Sequence, residues 1–224
     1  EEKPREREWE IRITRVKYLM EKYGHKWRNK VMKERTIPME LADRTWLRQA
    51  LFSASSMAAR QTACSIVETL AQVPSRKQQL LDMLSDFLEE VGRNGESSAE
   101  FLALYKRLIS TGHWKYYLAV KGVLLNIGSL ITKEIDELSA LEETTLNSDL
   151  SQGYALKALT ELLGCFVELD NIRQHYKSRL VGSTVLNGYL SLRKLIVQRT
   201  KLIDETQDKL LELLEEMTTG TEAE

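Results

Sequence analysis

The sequence predicts an all-α fold, built as an armadillo/HEAT-like helical repeat, that is, an α-solenoid segment. Three observations predict it. Apolar residues recur at three- and four-residue intervals almost throughout the 224 residues, and no stretch alternates as a strand would. Pro4, Pro38 and Pro74 sit at or near the starts of helical patterns, where a missing N–H costs little, and no proline follows Ser75. A small-then-large face at Ala63, Ile66, Val67 and Leu70 returns at Ala155, Ala158, Leu159, Leu162 and Leu163. Ala63 and Ala158 lie 95 positions apart, close to two periods of ~47, the armadillo/HEAT spacing. Small residues on one face let a neighbouring helix approach closely, as stacked helical hairpins require.

The elements follow in order. Helical patterns cover about 5–34, 38–52, 55–72, 75–92, 97–110, 113–121, 123–144, 149–169, 171–199 and 201–217. The first is open to interruption at Gly24, and the ninth to a break near Gly182. Ser75 with Gln78 and Ser97 with Glu100 fit the reciprocal capping box, and Asp149 with Gln152 is a weaker form. Stops are read at Gly92-Arg93-Asn94-Gly95 and at Thr111-Gly112, where glycine can take the left-handed conformation. The expected organisation is a basic amphipathic helix over 1–36, a helical domain over 37–217 and a frayed tail over 218–224.

Chemistry is sparse. Cys64 and Cys165 lie on apolar faces 101 positions apart and read as small buried hydrophobes; two cysteines build neither a disulfide scaffold nor a four-cysteine zinc site. His25, His113 and His175 have no histidine, cysteine or paired acid at ligand spacing. Gly182-Ser183-Thr184-Val185-Leu186-Asn187-Gly188 lacks the lysine and the preceding strand of a phosphate-binding loop. Carboxylates such as Glu89 and Glu90 fall on polar faces and read as solvated. No catalytic residue, metal site or cofactor is expected in the chain. No apolar run reaches the ~18 residues that a bilayer span needs, and the charged N-terminus is unlike a signal peptide. The reading is of an intracellular, cytoplasmic chain, with the nucleus as the other compartment open to it.

Charge is uneven although the net is -1. Residues 1–36 hold 12 Lys/Arg and 7 Asp/Glu, whereas residues 201–224 hold 2 and 8. In the basic end Trp9, Ile13, Val16, Met20, Tyr23 and Trp27 fall at intervals of 4, 3, 4, 3 and 4, one face of a continuous helix. Arg12, Arg15, Lys17, Lys26 and Arg28 are interleaved with them. Three readings stay open. The stripe packs within its own domain; or it is a basic amphipathic target for calmodulin or a similar groove protein, with the tryptophans as anchors; or it meets an anionic membrane surface or nucleic acid. Glu6, Glu8, Glu10 and Glu21 dilute the basic character and argue against phosphate binding, so no nucleic acid is expected as a partner.

Longer strings carry a resemblance. Residues Trp9 to Arg28 (WEIRITRVKYLMEKYGHKWR), Thr36 to Asp43 (TIPMELAD), Lys177 to Gly182 (KSRLVG) and Leu202 to Asp208 (LIDETQD) resemble the giant UBR-box E3 ubiquitin ligases of the BIG/pushover (calossin) family, as an internal fragment of the C-terminal half. The resemblance implies a parent that ubiquitinates substrates in the N-degron and protein quality-control pathways. It implies an armadillo-like scaffold whose partners are neighbouring helical repeats, and calmodulin as a partner. The family's zinc-bound UBR box and zinc-containing ligase module need clustered cysteine and histidine, which Cys64 and Cys165 cannot supply. What the resemblance implies for this segment is therefore a non-catalytic scaffold.

Overall fold

The computed structural model describes residues 44–52, 57–72, 74–92, 95–144, 152–196 and 200–219, and every described element is helical. The chain divides into two compact units, one ending at Phe87 and one beginning at Leu88.

The first unit holds α1 (Arg44–Phe52), α2 (Met57–Leu70) and α3 (Pro74–Asp86), and α2 packs against both neighbours. Its core follows the helical period: Leu47, Ala50 and Leu51 from α1, Ala63, Ile66, Val67 and Leu70 from α2, and Leu80, Leu81 and Leu84 from α3 are buried. Phe52 meets Phe87 edge to face at 6.4 Å, and Arg44 covers the Phe87 ring while pairing with Asp86 at 3.0 Å. α3 begins one residue before Ser75 and passes into a single 3-10 turn, Phe87–Glu90. Gly92 then turns the chain at φ +96°, the left-handed stop that the sequence predicts there.

The second unit contains α4 (Gly95–Leu108), α5 (Gly112–Val120), α6 (Val123–Thr144), α7 (Gln152–Val167), α8 (Asp170–Leu180), a π-helical segment (Val181–Leu186), α9 (Asn187–Lys194) and α10 (Lys201–Thr218). Thr111-Gly112 is not the left-handed stop expected from the sequence. Gly112 opens α5, and the left-handed glycine is Gly122 at φ +88°, between α5 and α6. Nor is the chain broken near Gly182. α8 runs through the π segment into α9, and the wider turn sends both Thr184 and Val185 inward. The predicted helix over 171–199 ends at Lys194.

Side-chain register shows how these helices stack. A Cβ at Gly153 would lie 2.9 Å from Leu202 Cβ, and one at Gly164 3.3 Å from Lys209 Cε. Lys157 pairs with Glu205 between those two points. α7 and α10 therefore run parallel. A Cβ at Gly128 would meet Leu180 at 3.0 Å, and one at Gly188 would meet Ile135 at 3.0 Å, so α6 runs parallel to the α8–α9 helix. α4 packs on α7. Lys106 lies near Cys165, while Ala99 shares a furrow with Tyr154, so these two helices are parallel as well. The result is two layers, α4–α7–α10 and α6–α8–α9, with like helices in register within each layer. That is the stacking of an α-solenoid. The buried stripes Ala155, Leu156, Leu159, Leu162, Leu163 and Phe166 make α7 its centre. Each fully buried leucine there contributes roughly 1.5–3 kcal/mol.

Buried polar groups are few and mostly paired. Thr160 and Thr206 each donate to a carbonyl four residues back, Leu156 and Leu202. The Tyr176 hydroxyl donates to the Ala119 carbonyl at 2.9 Å, tying α8 to the end of α5. Lys115 buries its stem and holds its ammonium 3.5 Å from Glu168.

The glycines give a direct test. Gly182 is exposed, and a Cβ there meets nothing within 4 Å; a Cβ at Gly188 would be squeezed between Ile135 and Leu210 at 3.0 and 3.3 Å. Gly182→Ala should stabilise the chain by about 0.5–1 kcal/mol, since it removes backbone freedom only from the unfolded chain. Gly188→Ala should cost about 1–3 kcal/mol through overpacking. Opposite shifts in urea midpoint would support this register; a shared sign would refute it.

Candidate interaction groove

On the solvent side of the α4–α7–α10 layer the two helix seams differ. Lys157 closes the α7–α10 seam through its bond to Glu205 at 2.6 Å, with Lys201 3.7 Å from the same carboxylate. That bond raises the Lys157 pKa above its ordinary value, and it lowers that of Glu205. The α4–α7 seam stays open. Ala99, Ala103 and Ala158 are too small to fill it, and a furrow of about 420 Å³ remains. Leu102 lies beneath it, Leu202 closes one end, and Tyr154, 39% exposed, stands at the rim. Lys106, Arg107, Lys157 and Glu161 supply its charge.

Phe101, Leu102, Leu104, Tyr105 and Leu108 of α4 are buried, which leaves Ala99, Ala103 and Lys106, at intervals of four and three, along the furrow. Ala158, which the sequence reading places on a packing face, is half-buried at the furrow instead, while its neighbour Ala155 is buried.

Cys64 and Cys165 are both buried, and neither forms a disulfide. Burial pushes the Cys165 thiol up, and Lys106 beside it partly opposes that shift. His113 and His175 are exposed; His175 lies beside Arg179 at 3.4 Å. Among the described residues, no group of three or more His, Cys, Asp or Glu could hold a metal ion, and no helix is long and apolar enough to cross a membrane. Glu134 departs from the expectation that carboxylates lie on solvated faces. It is only 8% exposed, against Gly92, and its pKa is pushed up to about 7, chiefly by burial and secondly by Glu137.

The stripe residues Trp9, Ile13, Val16, Met20, Tyr23 and Trp27, with Arg12, Arg15, Lys17, Lys26 and Arg28, lie outside the described residues. The furrow is instead assembled mostly from positions that the sequence reading did not single out, Ala158 and Leu202 excepted. A signal existed in α4: Ala99 and Ala103 sit four apart on one face, with only small side chains there.

Layered parallel helices with an open furrow between two of them define a helical-repeat segment. Comparison with known proteins gives its kinship. The chain is homologous to one segment of the BIG/pushover family of very long proteins. It is 47% identical over 212 residues, 94% of its length, to Protein purity of essence of Drosophila pseudoobscura pseudoobscura. It is 34% identical over 203 residues to Auxin transport protein BIG of Oryza sativa subsp. japonica, covering 89% of the chain. A probable E3 ubiquitin-protein ligase of Dictyostelium discoideum is 34% identical over 179 residues, covering 79% of it. The chain spans only 3–4% of the length of these relatives. No family model and no solved structure matches it.

Proposed function

We propose that this chain is a non-catalytic scaffold and protein-interaction segment of a giant E3 ubiquitin ligase of the N-degron and protein quality-control pathways. The observation that carries the reading is the homology along nearly the whole chain to proteins so much longer, one of them named a ligase, joined to an architecture that offers surface. In this reading the segment works in the cytoplasm or nucleus, needs no cofactor, and stacks on neighbouring repeats of its parent. It is organised as the arm 1–36, the helical domain 37–217 and the tail 218–224. Deleting the segment from the parent ligase should abolish ubiquitination of those substrates that depend on it, while the separately expressed ligase module keeps its self-ubiquitination. Ubiquitin transfer by the isolated 224-residue chain, given activating and conjugating enzymes, would overturn it.

A second reading has its own observation, the 4, 3, 4, 3, 4 spacing of the N-terminal stripe. Here residues 9–33 are captured by calmodulin, with Trp9 or Trp27 as anchor and Arg12, Arg15, Lys17, Lys26 and Arg28 steering the encounter. A peptide of residues 5–36 should release or absorb heat with calmodulin at micromolar concentration only when calcium is present. Silence in that titration would end the idea.

A further inference from the structure

We propose that the furrow between α4 and α7 is a docking groove for an extended, acidic segment of a partner protein. The inference rests on the reading of the chain as an interaction segment and names what one part of its surface accepts.

Shape argues for an extended occupant. The furrow is too short to seat the roughly three turns that a stable docked helix needs. From Ala99 to Lys106 the furrow runs about 10 Å along α4, at 1.5 Å per residue. That length holds about three residues of extended chain at 3.3 Å each. A volume of about 420 Å³ suits such a stretch. The alanines let a peptide backbone approach closely, and Leu102 and Leu202 offer an apolar floor to one side chain between polar neighbours.

Charge argues for an acidic one. Lys106, Arg107 and Lys157 line the furrow and Lys201 stands beside it, against the carboxylates of Glu161 and Glu205. The local balance is positive in a chain whose net charge is -1, and it lies against α10, in the strongly acidic stretch 201–224. Lys106 and Arg107 occupy the last turn of α4, and Lys106 is exposed. A carboxylate entering there meets cations on a low-dielectric floor, where attraction is stronger than in open water. A basic segment would meet the reverse.

The test uses the whole 224-residue chain and two fluorescein-labelled decapeptides. One is glutamate-rich with leucine at every third position; the other carries lysine in place of each glutamate. Fluorescence anisotropy should show saturable binding of the glutamate peptide, weakening with added salt, and none of the lysine peptide. Two variants at exposed positions locate the site: Lys106→Glu removes the charge match, and Ala103→Trp fills the furrow. Each should weaken binding about tenfold or more, with helicity by circular dichroism unchanged. Absence of saturable binding, equal binding of the lysine peptide, or wild-type affinity in both variants overturns the proposal. The last outcome would place the acidic peptide elsewhere, for example on the basic residues of 1–36. Any of these failures leaves the scaffold reading standing, because that reading is decided by the deletion in the parent ligase.

Discussion

Truncating Phe166 to alanine should destabilise the chain by about 3–5 kcal/mol, the usual cost of removing a fully buried phenylalanine. Phe166 is 0% exposed and lies on α7, the helix that touches α4, α6, α8 and α10. The loss has two parts: the transfer free energy of the ring and the cavity left behind. α10 is held against α7 by close approaches at Gly153 and Gly164, and with α4, α6 and α8 packed on its other sides the surroundings cannot readily collapse into that space. A typical domain has only about 5–15 kcal/mol of stability, so the variant should unfold roughly 10 °C lower or lose cooperativity altogether. Val120→Ala, at a side chain 84% exposed, is the control and should stay within about 0.5 kcal/mol. Denaturant unfolding of both variants checks the pair. A Phe166→Ala midpoint equal to that of Val120→Ala would mean that α7 is not the centre of this unit.

The helices themselves were legible because each needs only a local pattern. The stripe Leu159, Leu162, Leu163 and Phe166 announces α7 without reference to any other helix. The boundary at Gly92 was equally local, since only a left-handed residue fits there. Gly112 and Gly122 show the limit of that signal. Both follow an apolar stripe, and only the backbone conformation tells which one ends a helix. The π segment left a fainter trace, adjacent inward positions at Thr184 and Val185, as one extra residue in a turn demands. The furrow was not legible. It joins Ala99 and Ala103 to Ala158 and Leu202, positions up to 103 apart in sequence, and its openness depends on which seam Lys157 closes. Spacing along one helix carries no information about the size of the side chain that faces it from the next.

Glu134 is the other feature that no local pattern gives away, and it makes the stability of the chain depend on pH. Along α6 it sits beside Lys133 and one turn before Glu137, as a solvated charge would. Its carboxylate instead lies where a Cβ of Gly92 would come within 1.8 Å of Oε1, so the left-handed glycine makes room for it. Burial is the main reason its pKa rises from 4.5 to about 7, Glu137 adds to the rise, and Lys133 opposes it. The sign follows from comparing the two states. Below pH 4.5 the carboxyl is protonated whether the chain is folded or not, and it costs nothing. Between 4.5 and about 7 the unfolded chain releases the proton while the folded chain keeps it, so stability falls as pH rises. Above about 7 both states are ionised and the loss levels off. At 1.36 kcal/mol per pKa unit the full swing is about 3 kcal/mol. Glu134→Gln keeps the shape and removes the titration. The variant should match the wild type at pH 4 and exceed it by up to about 3 kcal/mol at pH 8, measured as the difference between their urea unfolding free energies. Other carboxylates titrate over the same range in both proteins, so only that difference reports on Glu134. If it stays flat from pH 4 to pH 8, the carboxylate is solvated and the cradle at Gly92 is not its resting place.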